Sequence, residues 1–361
     1  MVLAAKAGVS TRLINTGQPD LWRSVLPASR YVFGSVEFCS IVQHHQGLSA
    51  RLFVFTEEEE ALVAYPFFLR GVDQLPYLQQ QIQAWDTKTP EYTGPIPLRQ
   101  VSPRAAAGFR QAFSQFCEEA QIIAEFAHLH PWAGWQALLD PARVAFDRQI
   151  VYIDLTMPLE QMWEESFTYA CRKNIRRAQR ENVRIFQAAC EADLDAFHSI
   201  YTGTMDRNQA SKSYYFPRAY FADLLENLPD NALILLAEYQ DRIVAGTLYL
   251  YDDENMYSYL GGADHAYQQV RPTNQVIYEA IRWGQAHGKK RLILGGGYRP
   301  DDGIFRFKSS FSPLKADFHV YRSIHLAHEY QQLCRAWEDY YAEPLPVRGF
   351  FPLYRVTPSH A

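Results

Sequence analysis

Lys308 stands in an aromatic run, GIFRFKSSF (303–311), just after a glycine-rich turn, GGGYRPDD (295–302). An ammonium among phenylalanines has two uses. Its aliphatic stem can lie along apolar neighbours while the head reaches water. Alternatively, the head can sit at a pocket floor and stabilise an oxyanion as charge develops in acyl transfer. Burial there would pull its pKa down. If Asp301 or Asp302 starts a helix, Ile304, Phe307 and Phe311 share one face with Lys308, and Arg306 points away. Tyr298 lies in the turn before it. The segment MYSYLGG (256–262) adds hydroxyls. Strand alternation puts Tyr257 and Tyr259 on one side, ending at glycines that leave the backbone open. Two such tyrosines form either a half-buried ladder or the wall of a groove. Arg207, in TMDRNQASKSYYF (204–216), is either ordinary surface or a two-pronged grip on a carboxylate or phosphate.

Other chemistries fit poorly. A Walker loop needs G-x-x-x-x-G-K-[ST] opening a helix. Here Gly303 is followed by Ile304, and Lys308 comes five residues on. A dinucleotide fingerprint belongs early in a βαβ unit, and this glycine run comes late. The sequence has no G-x-S-x-G elbow and no H-E-x-x-H. His44, His45, His319, His325 and His328 lack a convincing ligand set, so no metal is expected. The cysteines (Cys39, Cys117, Cys171, Cys190, Cys334) include no C-x-x-C, and an odd number fits no disulfide framework. Buried free thiols in a reducing cytoplasm are the expectation.

The positioning elements come twice in one order. ARLFVFTEEEEALVAYPFFLR (50–70) reads as two strands around an acidic turn. ALILLAEYQDRIVAGTLYLYDDENMYSYLGG (232–262) reads as three strands, turning at Gln240-Asp241 and again at 252–255. Helical patterns precede each meander, at 35–45 and at 191–205 and 217–228. A helix and a buried strand follow each, at 102–120 with 121–129 and at 272–288 with 289–296. Helices, meander, helix and strand therefore repeat. The expectation is a mixed α/β chain of two tandem halves, each a mostly antiparallel sheet flanked by helices. The halves are 1–155 and 156–361, the second carrying the site, with the C-terminal tail free to pack back on the first.

The second half opens with an expected long helix over 159–182. Trp163, Phe167, Cys171, Ile175 and Ala178 make its apolar stripe. Arg172, Lys173, Arg176, Arg177 and Arg180 fall mostly opposite, five cations with no acid among them. They are a solvated face or a landing strip for phosphates. The formal charge of −5 argues against a globally basic nucleic-acid binder and leaves room for such a local patch. No stretch is long and apolar enough for a transmembrane helix, and the first residues do not read as a secretory signal. A cytoplasmic site, or the inner membrane face, is expected.

Taken in order, four stretches resemble the GNAT superfamily, and within it the Fem-type aminoacyl transferases. They are WDTKTPEYTGPIP (85–97), RKNIRRAQRENVRI (172–185), MYSYLGGAD (256–264) and LILGGGYRPDDGIFRFKSSF (292–311). The resemblance spans most of residues 30–320. It implies an N-acyltransferase in which Lys308 aids the tetrahedral intermediate or leaving group and Phe307 is its conserved neighbour. It further implies that Tyr257 and Tyr259 line the groove and that Arg207 binds acceptor phosphates. Asp86 and Tyr92 fall in the first-half motif as substrate contacts, with Tyr298 near the lysine. The implied donor is aminoacyl-tRNA, with no tightly bound cofactor, and the acceptor is an amine, nucleotide- or lipid-linked or free. Acyl-CoA is the alternative donor, and a non-catalytic binding protein on the same scaffold the other alternative. Ordinary GNAT enzymes hold coenzyme A on a Q/R-x-x-G-x-G/A loop. The matching stretch, GGADHAYQQVRPTNQV (261–276), has no G-x-G, and Pro272 removes one amide. The helical arm that Fem-type bridge enzymes often insert in the second half is not visible.

Overall fold

Short polar residues start several helices. Ser35 accepts a bond from Phe38 N at 3.2 Å, Ser102 from Ala105 N at 3.1 Å, and Thr168 from Cys171 N at 3.2 Å. These contacts come from a computed structural model. It describes residues 8–78, 83–299, 301–346 and 349–357, and the backbone of 2–6.

The strands are β1 (Val2–Lys6), β2 (Val9–Asn15), β3 (Ser49–Glu57), β4 (Glu60–Gly71), β5 (Trp85–Lys88), β6 (Ile96–Pro97) and β7 (Ile122–Leu129). They continue with β8 (Val144–Asp154), β9 (Arg184–Gln187), β10 (Ala232–Tyr239), β11 (Arg242–Tyr251), β12 (Asn255–Ala263), β13 (Arg291–Gly295) and β14 (Lys315–Ile324). The helices are α1 (Pro19–Val25), α2 (Val36–Gln46), α3 (Pro103–Glu119), α4 (Leu159–Gln161) and α5 (Tyr169–Arg180). After them come α6 (Glu191–Arg207), α7 (Arg218–Asn227), α8 (Pro272–Ala286), α9 (Gly303–Ser309) and α10 (Ala327–Tyr341).

Two compact units divide the chain. The first holds residues up to 26, 33–147 and from 318 onward; the second holds 27–32 and 148–317. The expected halves 1–155 and 156–361 are thus corrected: residues 27–32 and 148–155 belong with the second unit, and residues from Phe318 onward with the first. In the first unit the sheet order is β1-β2-β3-β4-β5-β7-β14. Every pair is antiparallel except β5 with β7. Glu58 and Glu59 at the β3–β4 turn both have positive φ, a hairpin turn whose twist suits the strands. One face packs Phe53, Phe55, Tyr65 and Phe67 on α3 residues Phe109, Phe113 and Phe116. A further cluster joins Val72 and Ile123 to Tyr330, Leu333 and Trp337 of α10 and to Tyr354.

The second unit repeats the plan, in the order β8-β13-β12-β11-β10-β9, with only β12 and β13 parallel. Its core joins Leu233, Leu235, Tyr249, Met256 and Leu292 of the sheet to Ile175 of α5, Ile277 and Ile281 of α8, and Phe311. Ridges of Ile, Leu and aromatic side chains bury here because α8 carries apolar residues at three- and four-residue steps.

Two local expectations need correction. Residues 159–182 are not one helix. A π turn, Met162–Ser166, ends at Phe167, whose backbone is extended, and Thr168 then caps α5 afresh. Nor are all cysteines buried. Cys190, the N-cap residue of α6, is exposed, and Cys334 is only partly buried.

Candidate active site

Asp302 builds the frame for Lys308. As N-cap of α9, its Oδ1 accepts from Phe305 N at 2.7 Å. Its Oδ2 accepts from Tyr298 N at 2.7 Å and Arg299 N at 3.1 Å, which folds the preceding turn back on the helix. These backbone donors hold its carboxyl below the usual range. A Cβ at Gly297 would fall 2.3 Å from Asp302 Oδ1, so the turn requires glycine there. One helical turn on, Lys308 Nζ donates to the carbonyl of Gly296 at 2.7 Å, one residue past the end of β13. Burial lowers the Lys308 pKa to about 8, with Asp302 opposing the shift and Arg148 adding to it. Phe307 packs edge-on against Phe311 at 5.6 Å, and Phe311 against Phe167 at 5.9 Å, fixing α9 to the core. Asp302→Ala should therefore lower turnover while circular dichroism stays unchanged, because Lys308 loses its mount. Unchanged turnover would break the link between cap and lysine.

The β12–β13 ladder ends before Gly296. β12 and β13 pair only through Asn255–Arg291, Met256–Leu292 and Tyr257–Ile293. β12 then runs on to Ala263, and its backbone from Ser258 has left that ladder. Within the same strand the register against β11 steps from Leu248–Leu260 to Tyr249–Ser258, so β12 carries one extra residue. This bulge resets the alternation that put Tyr257 and Tyr259 together. Tyr257 is only 2% exposed, and its hydroxyl donates to Asp252 Oδ2 at 3.0 Å. Asp252 itself organises the β11–β12 turn, accepting from Asn255 N at 2.7 Å and Glu254 N at 3.0 Å. Burial pushes its carboxyl up to about 6. Tyr257 thus braces the turn from inside and does not line a groove. Tyr259 is half-buried and shares a 2.9 Å hydroxyl–hydroxyl bond with Tyr220, on which Phe216 stacks at 4.3 Å.

Arg207 is exposed at the end of α6. Thr204, a turn earlier, accepts from Ala263 N at 3.1 Å and so ties that helix end to the far end of β12. A Cβ at Gly262 would meet Ile200 O at 2.8 Å, so glycine permits this approach. Tyr298 is 63% exposed in the turn before α9. Lys308, Phe307 and Tyr298 therefore lie on one segment, whereas Tyr259 bonds Tyr220 of α7 and Arg207 stands at the α6 end that Thr204 ties to Ala263. Asp252, Thr204 and the Gly296 carbonyl were not singled out from the sequence. The only signal for Asp252 was the polar cluster DDEN, which reads as a turn and nothing more.

The cations of α5 divide. Arg172 donates to Trp163 O at 2.9 Å and Phe167 O at 2.8 Å, closing the carbonyl end of the π turn. Arg177 sits 3.9 Å from Glu181. Lys173, Arg176 and Arg180 are exposed, with Tyr169 at 73% exposure. Steps of four, three and four residues put these four on one face. Arg176 also lies over the Trp163 ring at 5.2 Å.

Asp86 and Tyr92 belong to the first unit. Asp86 is fully buried and accepts from Arg70 Nε, Arg355 Nε and, at 3.1 Å, the Tyr354 hydroxyl. Both of its oxygens are met by protein donors. Tyr92 has φ +48 and packs against Phe318 at 5.3 Å and Phe33 at 5.8 Å.

The segment before α8 runs from Asp264 to Arg271. Arg271 is in the left-handed region as N-cap of α8, and no side chain caps that helix. Arg271 Nε, Asn274 Nδ2 and Gln275 Oε1 are buried without a hydrogen-bond partner among the described residues.

Each unit carries one parallel strand pair inside an otherwise antiparallel sheet, the plan of a tandem GNAT fold. The sequence agrees: residues 166–309 match the acetyltransferase (GNAT) domain family, so the second half carries a GNAT-type acyltransferase domain. Among solved structures the chain is similar to FemX, with TM-score 0.67 at 10% identity over 89% of this chain and 99% of that one. A conserved Bacteroides thetaiotaomicron protein of unknown function gives TM-score 0.57 at 13% identity, over 87% of this chain and 99% of that one. A tandem GNAT protein from the clavulanic acid biosynthesis pathway gives 0.50 at 6% identity, over 88% and 98%. No curated protein sequence matches. The fold is thus the tandem GNAT arrangement that FemX shares, and the GNAT-type acyltransferase domain lies in residues 166–309. Among the described residues, no helix is long and apolar enough to cross a membrane.

Proposed function

We propose that this protein forms an amide by transferring an aminoacyl group from aminoacyl-tRNA to an amine acceptor. The observation that carries the reading is the Lys308 ammonium, held on the Gly296 carbonyl where β12 and β13 part. The acceptor nitrogen attacks the ester carbonyl. A C–N bond forms, the C–O bond breaks, the amine gives up a proton and the leaving hydroxyl gains one. Lys308 supplies positive charge to the oxyanion or a proton to the leaving oxygen. Arg207 offers a grip on an acceptor phosphate, and Tyr259 a wall. The exposed Tyr169–Lys173–Arg176–Arg180 face suits the phosphates of the donor RNA. Such a donor places the reaction in the cytoplasm or at the inner membrane face.

A donor screen tests this. Charged tRNAs, offered with amine acceptors, should give an RNA-dependent amide product. Lys173→Ala with Arg180→Ala should weaken the tRNA several-fold and flatten its salt dependence by roughly one for each cation removed. Turnover with acyl-CoA alone would overturn the donor assignment.

A second reading rests on α8. Its uncapped N-terminus and the unpartnered donors Arg271 Nε and Asn274 Nδ2 suit an anionic donor group such as the pyrophosphate of acyl-CoA. Calorimetry with coenzyme A separates the two. Tight stoichiometric binding favours this reading, and no heat favours tRNA.

A further inference from the structure

The first unit contains a cavity of about 540 Å³ between α3, the 136–143 segment and the end of β14. Its size lies within the usual range of small-molecule sites, roughly 300–1,000 Å³. Phe109, Phe113, Leu139 and Tyr321 form its apolar wall, and all are buried. Its floor is polar. Glu125, 2% exposed, accepts from the Tyr65 hydroxyl at 2.7 Å through Oε1 and meets His325 Nε2 at 3.0 Å through Oε2. The His325 and Glu125 side chains are 4% and 3% exposed. An apolar cavity stays dry, whereas a polar floor calls for water or a ligand with polar atoms. A purely structural tie between β4, β7 and β14 would be served as well by apolar side chains, since a buried hydrogen-bonded polar group recovers little beyond its desolvation cost.

The mouth is basic. Arg110 reaches the carbonyls of Ala137 and Leu138 only at 3.4 Å and has no carboxylate partner among the described residues. Arg143 is 46% exposed, bonds Ser323, and lies 3.6 Å from Asp140. One acid therefore faces two guanidiniums, while the Glu125 charge is already met by Tyr65 and His325. Arginine forks bind carboxylates with two parallel hydrogen bonds.

We propose that this cavity is a second ligand site, which takes a small organic anion: an apolar or aromatic body against Phe109, Phe113 and Leu139, and a carboxylate held by Arg110 and Arg143. It lies wholly in the first unit and does not depend on the acyltransferase reading of the second.

The test uses the full chain with 2-naphthoate as probe and 2-naphthamide as its uncharged match, followed by saturation-transfer NMR and calorimetry. Naphthoate should bind with Kd about 1 mM or tighter, the range that a ligand of this size reaches in a formed pocket. Naphthamide should bind at least ~10-fold more weakly, the scale of one lost charge-assisted pair. Arg110→Ala with Arg143→Ala should reduce naphthoate affinity to the amide's level. Ala137→Trp, at an exposed rim position, should block both probes with the far-UV spectrum unchanged, and it decides the matter if the arginine variant fails to fold. Naphthoate that does not bind, that binds no better than the amide, or that ignores Ala137→Trp overturns the proposal.

Discussion

Lys308→Met is expected to lower kcat by about 10²- to 10³-fold, the usual loss when one oxyanion-directed donor is removed from an acyl-transfer site. Substrate affinity should change little, because the ammonium interacts more strongly with the transition state than with the bound donor. The pH profile carries the sharper information. With its pKa lowered to about 8, Lys308 is mostly charged at neutral pH and loses its proton through the mildly alkaline range. If the charged form is the active one, wild-type kcat falls as pH rises through about 8. Lys308→Met should be slow and lack that limb. Lys308→Arg should recover part of the rate and also lack it, since a guanidinium keeps its charge. The linked stability runs the other way. A folded-state lysine pKa below the unfolded 10.5 means that the unfolded chain binds more protons between about 8 and 10.5. Wild-type stability should therefore gain from Lys308 as pH rises across that window, and Lys308→Met should lose the gain. A methionine variant with near wild-type kcat would remove Lys308 from the chemistry, whatever its stability.

The parts legible in the sequence were those that local chemistry decides. Glu58-Glu59 and Gln240-Asp241 sit between β-branched and aromatic runs, and both pairs adopt the positive-φ turns that such hairpins need. Ser102, Pro103 and Gly288 bracket helices because a side-chain oxygen, a missing N–H and a missing Cβ each suit one helix end. Asp302 and Lys308 were readable for the same reason, since cap and lysine lie six residues apart. What the sequence hid depends on partners distant along the chain. The extra residue in β12 shows only in the register against β11, and it sends Tyr257 to Asp252 and Tyr259 to Tyr220. The break at Thr168 was masked because Trp163, Phe167 and Cys171 keep helical spacing across it. Arg172 looked like part of a phosphate-binding face, yet its bonds to Trp163 O and Phe167 O close that break. A run of cations cannot announce which of its members are already occupied.

Asp86 presents the same problem with the largest expected effect on stability. The carboxylate is fully buried, and Arg70, Arg355 and Tyr354 all converge on it. Arg355 Nη2 also donates to Gly71 O at 2.7 Å, and the Tyr77 hydroxyl donates to Tyr354 O, so this cluster holds residues 353–355 against β4 and β5. Asp86→Ala leaves two guanidiniums facing each other with no acid between them. Removing one member of a buried pair costs roughly 3–5 kcal/mol. The arginine side chains keep 19% and 17% exposure, so partial hydration should bring the loss toward the lower figure. Urea unfolding should show a clear drop in the midpoint. Asp86→Asn should lose less, because its carbonyl still accepts one of the three donors. Arg355→Met should lose less again, since the Arg70–Asp86 pair survives. A substrate-binding role makes the opposite forecast: kcat/KM falls while the urea midpoint stays put. The occupied oxygens favour the first result, and a midpoint shift worth less than about 1 kcal/mol, within the range of an exposed ion pair, would return Asp86 to the substrate.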